Sequence, residues 1–179
     1  FARKVRMTLQ FKEVSYESVD ALALAEHARL CAVNPRAEVP VLVDGDVTVV
    51  DSADIVAYLE DRFPTPALLP SSPALRAIAR RWQRVADTVL DAIVHDVSLW
   101  TWPTHHRSDA APTGLLEAGR CDLAIVLAEF DRALGAKDFL CETPSVADLA
   151  LFPHVSSLKI LGVPMEPFPN VLRWKASMR

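Results

Sequence analysis

Asp51 and Ser52 sit side by side where an apolar, strand-like run ends and a helical pattern begins. Val47, Val49 and Val50 precede them, and Ile55, Val56, Leu59 and Phe63 follow at helical spacing. A helix start offers unpaired N–H groups and a partial positive charge. Those groups hold a carboxylate well, and a serine hydroxyl adds one donor. An aspartate beside them repels that carboxylate, unless the ligand also brings an ammonium group. An α-amino-acid head group is such a ligand, with both charges one carbon apart. Helix capping by Asp51 or Ser52 alone is the plainer reading, and spacing does not choose between the two.

Val39 and Pro40 open the run "VPVLV". A proline at a strand start is tolerated at a sheet edge. It can also be cis, turning the backbone of Val39 outward, where its N–H and C=O can pair with an extended peptide. The trans edge proline is the commoner case. Arg3, Lys4 and Arg6 crowd a helix start, where the dipole disfavours cations. A bound anion or a helix that begins further upstream relieves that conflict. "SVAD", from Ser145 to Asp148, is a capping box with aspartate in place of glutamate, and reads as a folding signal.

The histidines carry little chemistry. His105 and His106 lie in a polar loop, and His27, His95 and His154 are scattered over helical stretches. No Cys/His cluster has metal-ligand spacing, so no metal is expected. Glycine-rich phosphate loops and a nucleophile elbow are absent, with 5 glycines in the chain. Cys31, Cys121 and Cys141 are odd in number and form no CxxC pair. Free thiols in a reducing compartment are the expectation.

The elements that must position these residues fall into two groups. Prolines cluster at Pro64, Pro66, Pro70 and Pro73, and the net charge of −4 is carried by residues 1–70, the remainder being balanced. We place a boundary there, with one domain over 1–66 and another over 73–179. Residues 2–10 suit a helix, with Val5 and Leu9 four apart. Residues 13–19 alternate with period two and read as a strand. Residues 20–31, rich in alanine and leucine, read as a helix with Asp20 as N-cap. "VPVLV" and "VTVV" flank Gly45 and predict a hairpin. The order is helix, strand, helix, hairpin, helix: a small α/β domain.

After the boundary the pattern is helical. Leu75, Ile78, Trp82, Val85, Val89, Ile93, Val97 and Trp100 recur by threes and fours, predicting one long amphipathic helix over 74–100. Trp82 belongs to the apolar stripe, and Arg76, Arg80, Arg84, Asp87 and Asp91 lie on the solvated face. Residues 101–114 are a loop, 115–134 a second helix, and a third begins at Pro144. A last helix starts near Val171.

About half the residues are hydrophobic and 23% are charged, which is globular composition. The acidic balance argues against nucleic acid as a partner. No apolar run has the length of a membrane span.

Taken in order, "RKVRMTL", "VPVL", "DSADIVAYLEDRFP", the proline-rich linker, the long helix and "PSVADLALFP" resemble a soluble glutathione transferase over essentially the whole chain. The resemblance implies a thioredoxin-like α/β domain followed by an all-helical domain. It implies glutathione as co-substrate, with Pro40 cis, the Val39 backbone on the cysteinyl unit, and Asp51 and Ser52 on the γ-glutamyl head group. It also implies a first strand, and a serine, cysteine or tyrosine that stabilises the thiolate, both falling before Phe1 and so outside this sequence. Glu38 departs from the Lys or Gln common in relatives and sets a carboxylate near the glycyl end of glutathione; Arg36 is a candidate to compensate.

The function so implied is transfer of glutathione to a small electrophile, with Trp100 and His105 as candidates for the second substrate site. A homodimer in the cytoplasm is the expected form. A non-catalytic binding module, or a thiol reductase if the missing residue is cysteine, are the alternatives.

Overall fold

The computed structural model describes every residue except 22, 104, 106–108 and 179. The chain divides into two compact units, Phe1–Leu68 and Leu69–Arg179.

In the first unit, α1 (Ala2–Phe11) turns Val5, Thr8 and Leu9 inward at helical spacing. Val5 and Leu9 pack with Ile55 and Leu59 of α3 (Ser52–Arg62), and Leu42, Val49 and Phe63 close over them. β1 (Val41–Asp44) and β2 (Val47–Val50) form the expected antiparallel hairpin, in register from Val41 opposite Val50 to Asp44 opposite Val47. Gly45 takes φ 59° at the turn, which glycine adopts at little cost. Lys12 ties the ends of α1 and α3 together. Its buried Nζ meets Glu60 Oε2 at 2.6 Å and donates to the carbonyls of Phe63 at 2.6 Å and Pro66 at 3.0 Å. That satisfies all three ammonium donors where the dipole of α3 favours a cation.

Two sequence expectations fail in this unit. Residues 14–20 carry no regular secondary structure. A strand exists through its ladder, and no described strand forms a ladder with this segment; Tyr16 and Val19 are exposed. The helix expected over 20–31 is reduced to α2 (His27–Val33), and Asp20 does not cap it. Residues before His27 form short turns, such as Ala23 N–H to Asp20 O. Among the described residues there, Ala23, Leu24 and Ala25 are exposed, Leu24 by 94%, and α2 buries only Leu30. Helical propensity without a buried face does not sustain a helix.

The second unit is helical. α4 (Pro73–Arg84) passes through a π-helical segment, Val85–Leu90, into α5 (Asp91–Thr101). The single α-helix expected over 74–100 is therefore interrupted. A π turn holds an extra residue, so the buried stripe changes phase. Val89, expected inside, is exposed, while Leu90 is 1% exposed beside buried Trp82 and Ala86. α6 (Leu115–Leu134) has the expected limits. α7 (Val146–Ser157) and α8 (Pro169–Ser177) complete the unit. Its core is aromatic, with Phe130 tilted against Trp82 and edge-on to Trp174. Gly119 on α6 lets α5 approach closely: a Cβ there would stand 2.4 Å from Val97 Cγ2.

This is a thioredoxin-like domain followed by an all-helical one. Among the described residues no helix is long and apolar enough to cross a membrane.

Candidate functional site

The hairpin register decides which residues meet. Val41 faces Val50, so the residues leading into β1 and those leaving β2 lie at one end of the ladder. Val39 and Pro40 are thus brought alongside Asp51 and Ser52. The Val39–Pro40 peptide is cis. Val39 is half-exposed, and its N–H and C=O make no hydrogen bond among the described residues.

Across from it, Asp51 is exposed and holds φ 72°, ψ 132°. A non-glycine residue held there stores about 1–3 kcal/mol of strain. β2 fixes it from one side and the helix from the other. Its Oδ1 accepts from the N–H of Ala53 at 2.7 Å and of Asp54 at 3.4 Å. Asp51 therefore is the N-cap of α3. The cap leaves the first donor alone: Ser52 N–H opens the helix and has no intrahelical acceptor. The Ser52 hydroxyl is likewise without a hydrogen bond among the described residues, although the residue is only 3% exposed. An unpaired donor pair next to a carboxylate suits a ligand carrying both charges.

A cavity of about 820 Å³ borders β1, lined by Val5, Leu9, Tyr16, Leu30, Val39 and Pro40 among others. Asp51 and Ser52 are not part of that lining. The candidate site is thus the hairpin end with Val39 shared between it and the cavity wall.

The basic cluster on α1 is split. Lys4 is 2% exposed, with Nζ 5.8 Å from the centre of the Phe1 ring, whereas Arg6 is exposed on the cavity wall. Arg36 Nη2 meets Glu38 Oε2 at 2.8 Å. The carboxylate that departs from the common pattern is therefore paired with Arg36, both side chains being exposed.

The residues expected at a second substrate site lie in the helical unit. Trp100 is half-buried on α5, and His105 is exposed, its Nδ1 donating to Ser98 O at 2.8 Å. His106 lies outside the described residues. Among the described residues no group of three His, Cys, Asp or Glu could hold a metal ion. The three cysteines are free thiols; Cys31 Sγ lies 3.5 Å from His27 Nε2, and burial pushes the Cys141 thiol up.

Asn34 was not singled out by the sequence patterns. It is buried, and its side chain accepts from Arg36 N–H at 3.3 Å and donates to Glu38 O at 3.0 Å. The signal was the dipeptide Asn34–Pro35, a turn initiator.

Residues 1–67 match the glutathione S-transferase N-terminal domain and residues 123–174 the C-terminal domain of the same family. Glutathione S-transferase GstB of Escherichia coli is 30% identical, over 96% of this chain and 85% of that protein. A probable maleylacetoacetate isomerase of Caenorhabditis elegans is 30% identical, over 95% and 79%. The crystal structure of a glutathione S-transferase from Rhodospirillum rubrum superposes with a TM-score of 0.84 at 30% identity, covering 98% of this chain and 81% of that one. With its strained acid–serine corner and the open main chain of Val39 set in this framework, the chain belongs to the glutathione S-transferase family.

Proposed function

We propose that this chain binds glutathione at the end of the hairpin and directs its thiolate at a small, hydrophobic electrophile. The observation that carries the reading is the register that sets Val39–Pro40 beside Asp51–Ser52. The γ-glutamyl carboxylate takes the Ser52 N–H and hydroxyl, and the ammonium takes the outer face of the Asp51 carboxylate. The cysteinyl main chain pairs with the free N–H and C=O of Val39, as an added strand does. The thiol loses its proton before attack, since the thiolate is the nucleophile. Thiol activation is assigned to the serine, cysteine or tyrosine to which the resemblance points before Phe1. Trp100 and His105 remain the candidates for the electrophile's surroundings. Three free thiols favour a reducing, cytoplasmic setting, and a homodimer is the form the family resemblance supports.

A glutathione-dependent isomerase is the second reading, favoured by the Caenorhabditis elegans relative named as a probable maleylacetoacetate isomerase. Both use the same glutathione site. Product analysis with an aryl halide and with maleylacetoacetate separates a conjugate from an isomer.

The site itself is tested by calorimetric titration of the full chain with glutathione. Asp51→Asn keeps an oxygen for the cap and tolerates positive φ, but removes the charge that meets the ammonium. About tenfold weaker binding is expected, a difference of about 1.4 kcal/mol. Ser52→Ala weakens binding by a similar factor through loss of one charge-assisted donor. Unchanged affinity in both variants would reduce the corner to a helix cap.

A further inference from the structure

Asn34 follows α2 as its C-cap, and its backbone and side chain organise the four residues that lead to Val39. Asn34 N–H donates to Leu30 O at 2.8 Å, closing the helix, and Ala37 N–H donates to Asn34 O at 2.8 Å. Ala37 sits at φ 53°, so the chain doubles back sharply. Inside this turn the buried carboxamide holds Arg36 N–H and the carbonyl of Glu38. The Glu38–Val39 peptide is trans, so its C=O and N–H point to opposite sides of one rigid plane. With the Glu38 carbonyl drawn in to Asn34, the Val39 N–H is turned outward. That N–H has no hydrogen bond among the described residues, and Val39 is half-exposed.

We propose that Asn34 is a positioning residue for substrate binding: its carboxamide locks the Glu38–Val39 peptide plane so that the Val39 N–H is aimed at a carbonyl of the glutathione main chain. The inference rests on the reading of the site given above. It goes beyond that reading because Asn34, buried inside the turn, acts only through the plane it holds. A preorganised donor binds without first having to be ordered. Without the clamp the peptide plane rotates, and part of the binding free energy goes into restoring it.

Two variants test this. Asn34→Asp keeps the acceptor for Arg36 N–H and replaces the donor to Glu38 O with an oxygen. Asn34→Ala removes both contacts. Glutathione affinity of the full chain is read by calorimetry, and thermal melting is followed beside it by circular dichroism. The expected result is a Kd raised about five- to tenfold in both variants, on the scale of one hydrogen bond. Both variants lower the melting midpoint, since Asn34→Asp sets a buried oxygen against the Glu38 carbonyl and Asn34→Ala leaves both partners unmet, so affinity is read well below the melt. A merely structural asparagine would lower the midpoint and leave the Kd of the folded protein within twofold, and that outcome overturns the proposal. Should Asn34→Ala fail to fold, Asn34→Asp decides alone. Weaker binding in Asp51→Asn together with unchanged binding in Asn34→Asp would sink the role of Asn34 and leave the site standing. No binding by the parent chain would sink both.

Discussion

At the start of α7, Asp148 is fully buried, and its two oxygens are spoken for. Oδ2 accepts from Ser145 N–H at 2.9 Å and from Ser145 Oγ at 2.7 Å, and Oδ1 accepts from Trp174 Nε1 at 2.8 Å. At the start of α3, Asp51 is exposed, holds positive φ, and shares one oxygen between two N–H groups, while Ser52 beside it donates to nothing described. Both corners use the same residue types to begin a helix. One is closed upon itself and belongs to the core of its unit. The other is capped and left incomplete. The lesson is that acid plus serine is not a function; the unpaired donors and the retained strain are what mark a place for a ligand.

The largest expected effect tests the closed corner. Asp148→Ala strands three donors inside the helical unit, each costing about 1–3 kcal/mol when left unsatisfied. A loss of about 3–5 kcal/mol in denaturant unfolding is expected, at the upper end for a single substitution. Trp174→Phe keeps the aromatic packing and removes one donor, so it costs about 1–3 kcal/mol. A loss below 1 kcal/mol in Asp148→Ala would erase the distinction between the two corners.

The open corner is expected to respond the other way round, weakly in stability and strongly in binding. Asp51→Ala removes the cap, worth about 1 kcal/mol, and leaves a Cβ at positive φ. Asp51→Gly also loses the cap but relieves the backbone, and recovers part of that loss. Asp51→Asn keeps the cap and is the most stable of the three. Glutathione affinity does not follow this order, because all three lose the charge. If affinity tracked stability through the series, Asp51 would be a cap and nothing more.

How much of this was legible beforehand depends on whether the cause was local. The hairpin, α6 and the Ser145–Asp148 box are local patterns: a glycine between two valine-rich runs, a stripe at helical spacing, a four-residue motif. They appear where the sequence places them. Asp51 and Ser52 were found for the same reason, although only the register shows them beside Val39. Residues 13–19 misled because alternation describes a strand's faces and says nothing of its partners. The π segment was invisible, since a period of 3.6 residues cannot register one extra residue in a turn. Trp174 as the third donor to Asp148 lies 26 positions away, and no short motif reaches that far. Asn34 was within reach through its turn, but its hold on Glu38 needed the folded loop.

The smallest expected effect concerns pH. Burial pushes the carboxyl of Asp148 above the usual aspartate range, and the hydrogen bonds from Ser145 and Trp174 pull it back only in part. A raised value means that the folded chain keeps this proton after the unfolded chain has released it. The contribution to stability is then full below the unfolded value of about 3.9 and declines as pH rises through the folded value. Unfolding free energies of the parent and Asp148→Asn are compared between pH 4 and pH 7. Subtracting Asp148→Asn from the parent leaves a difference that falls with rising pH, whatever the other carboxylates contribute in common. A parent that instead gained on Asp148→Asn as pH rose would mean that the three donors outweigh burial, and that the closed corner holds its charge at low pH.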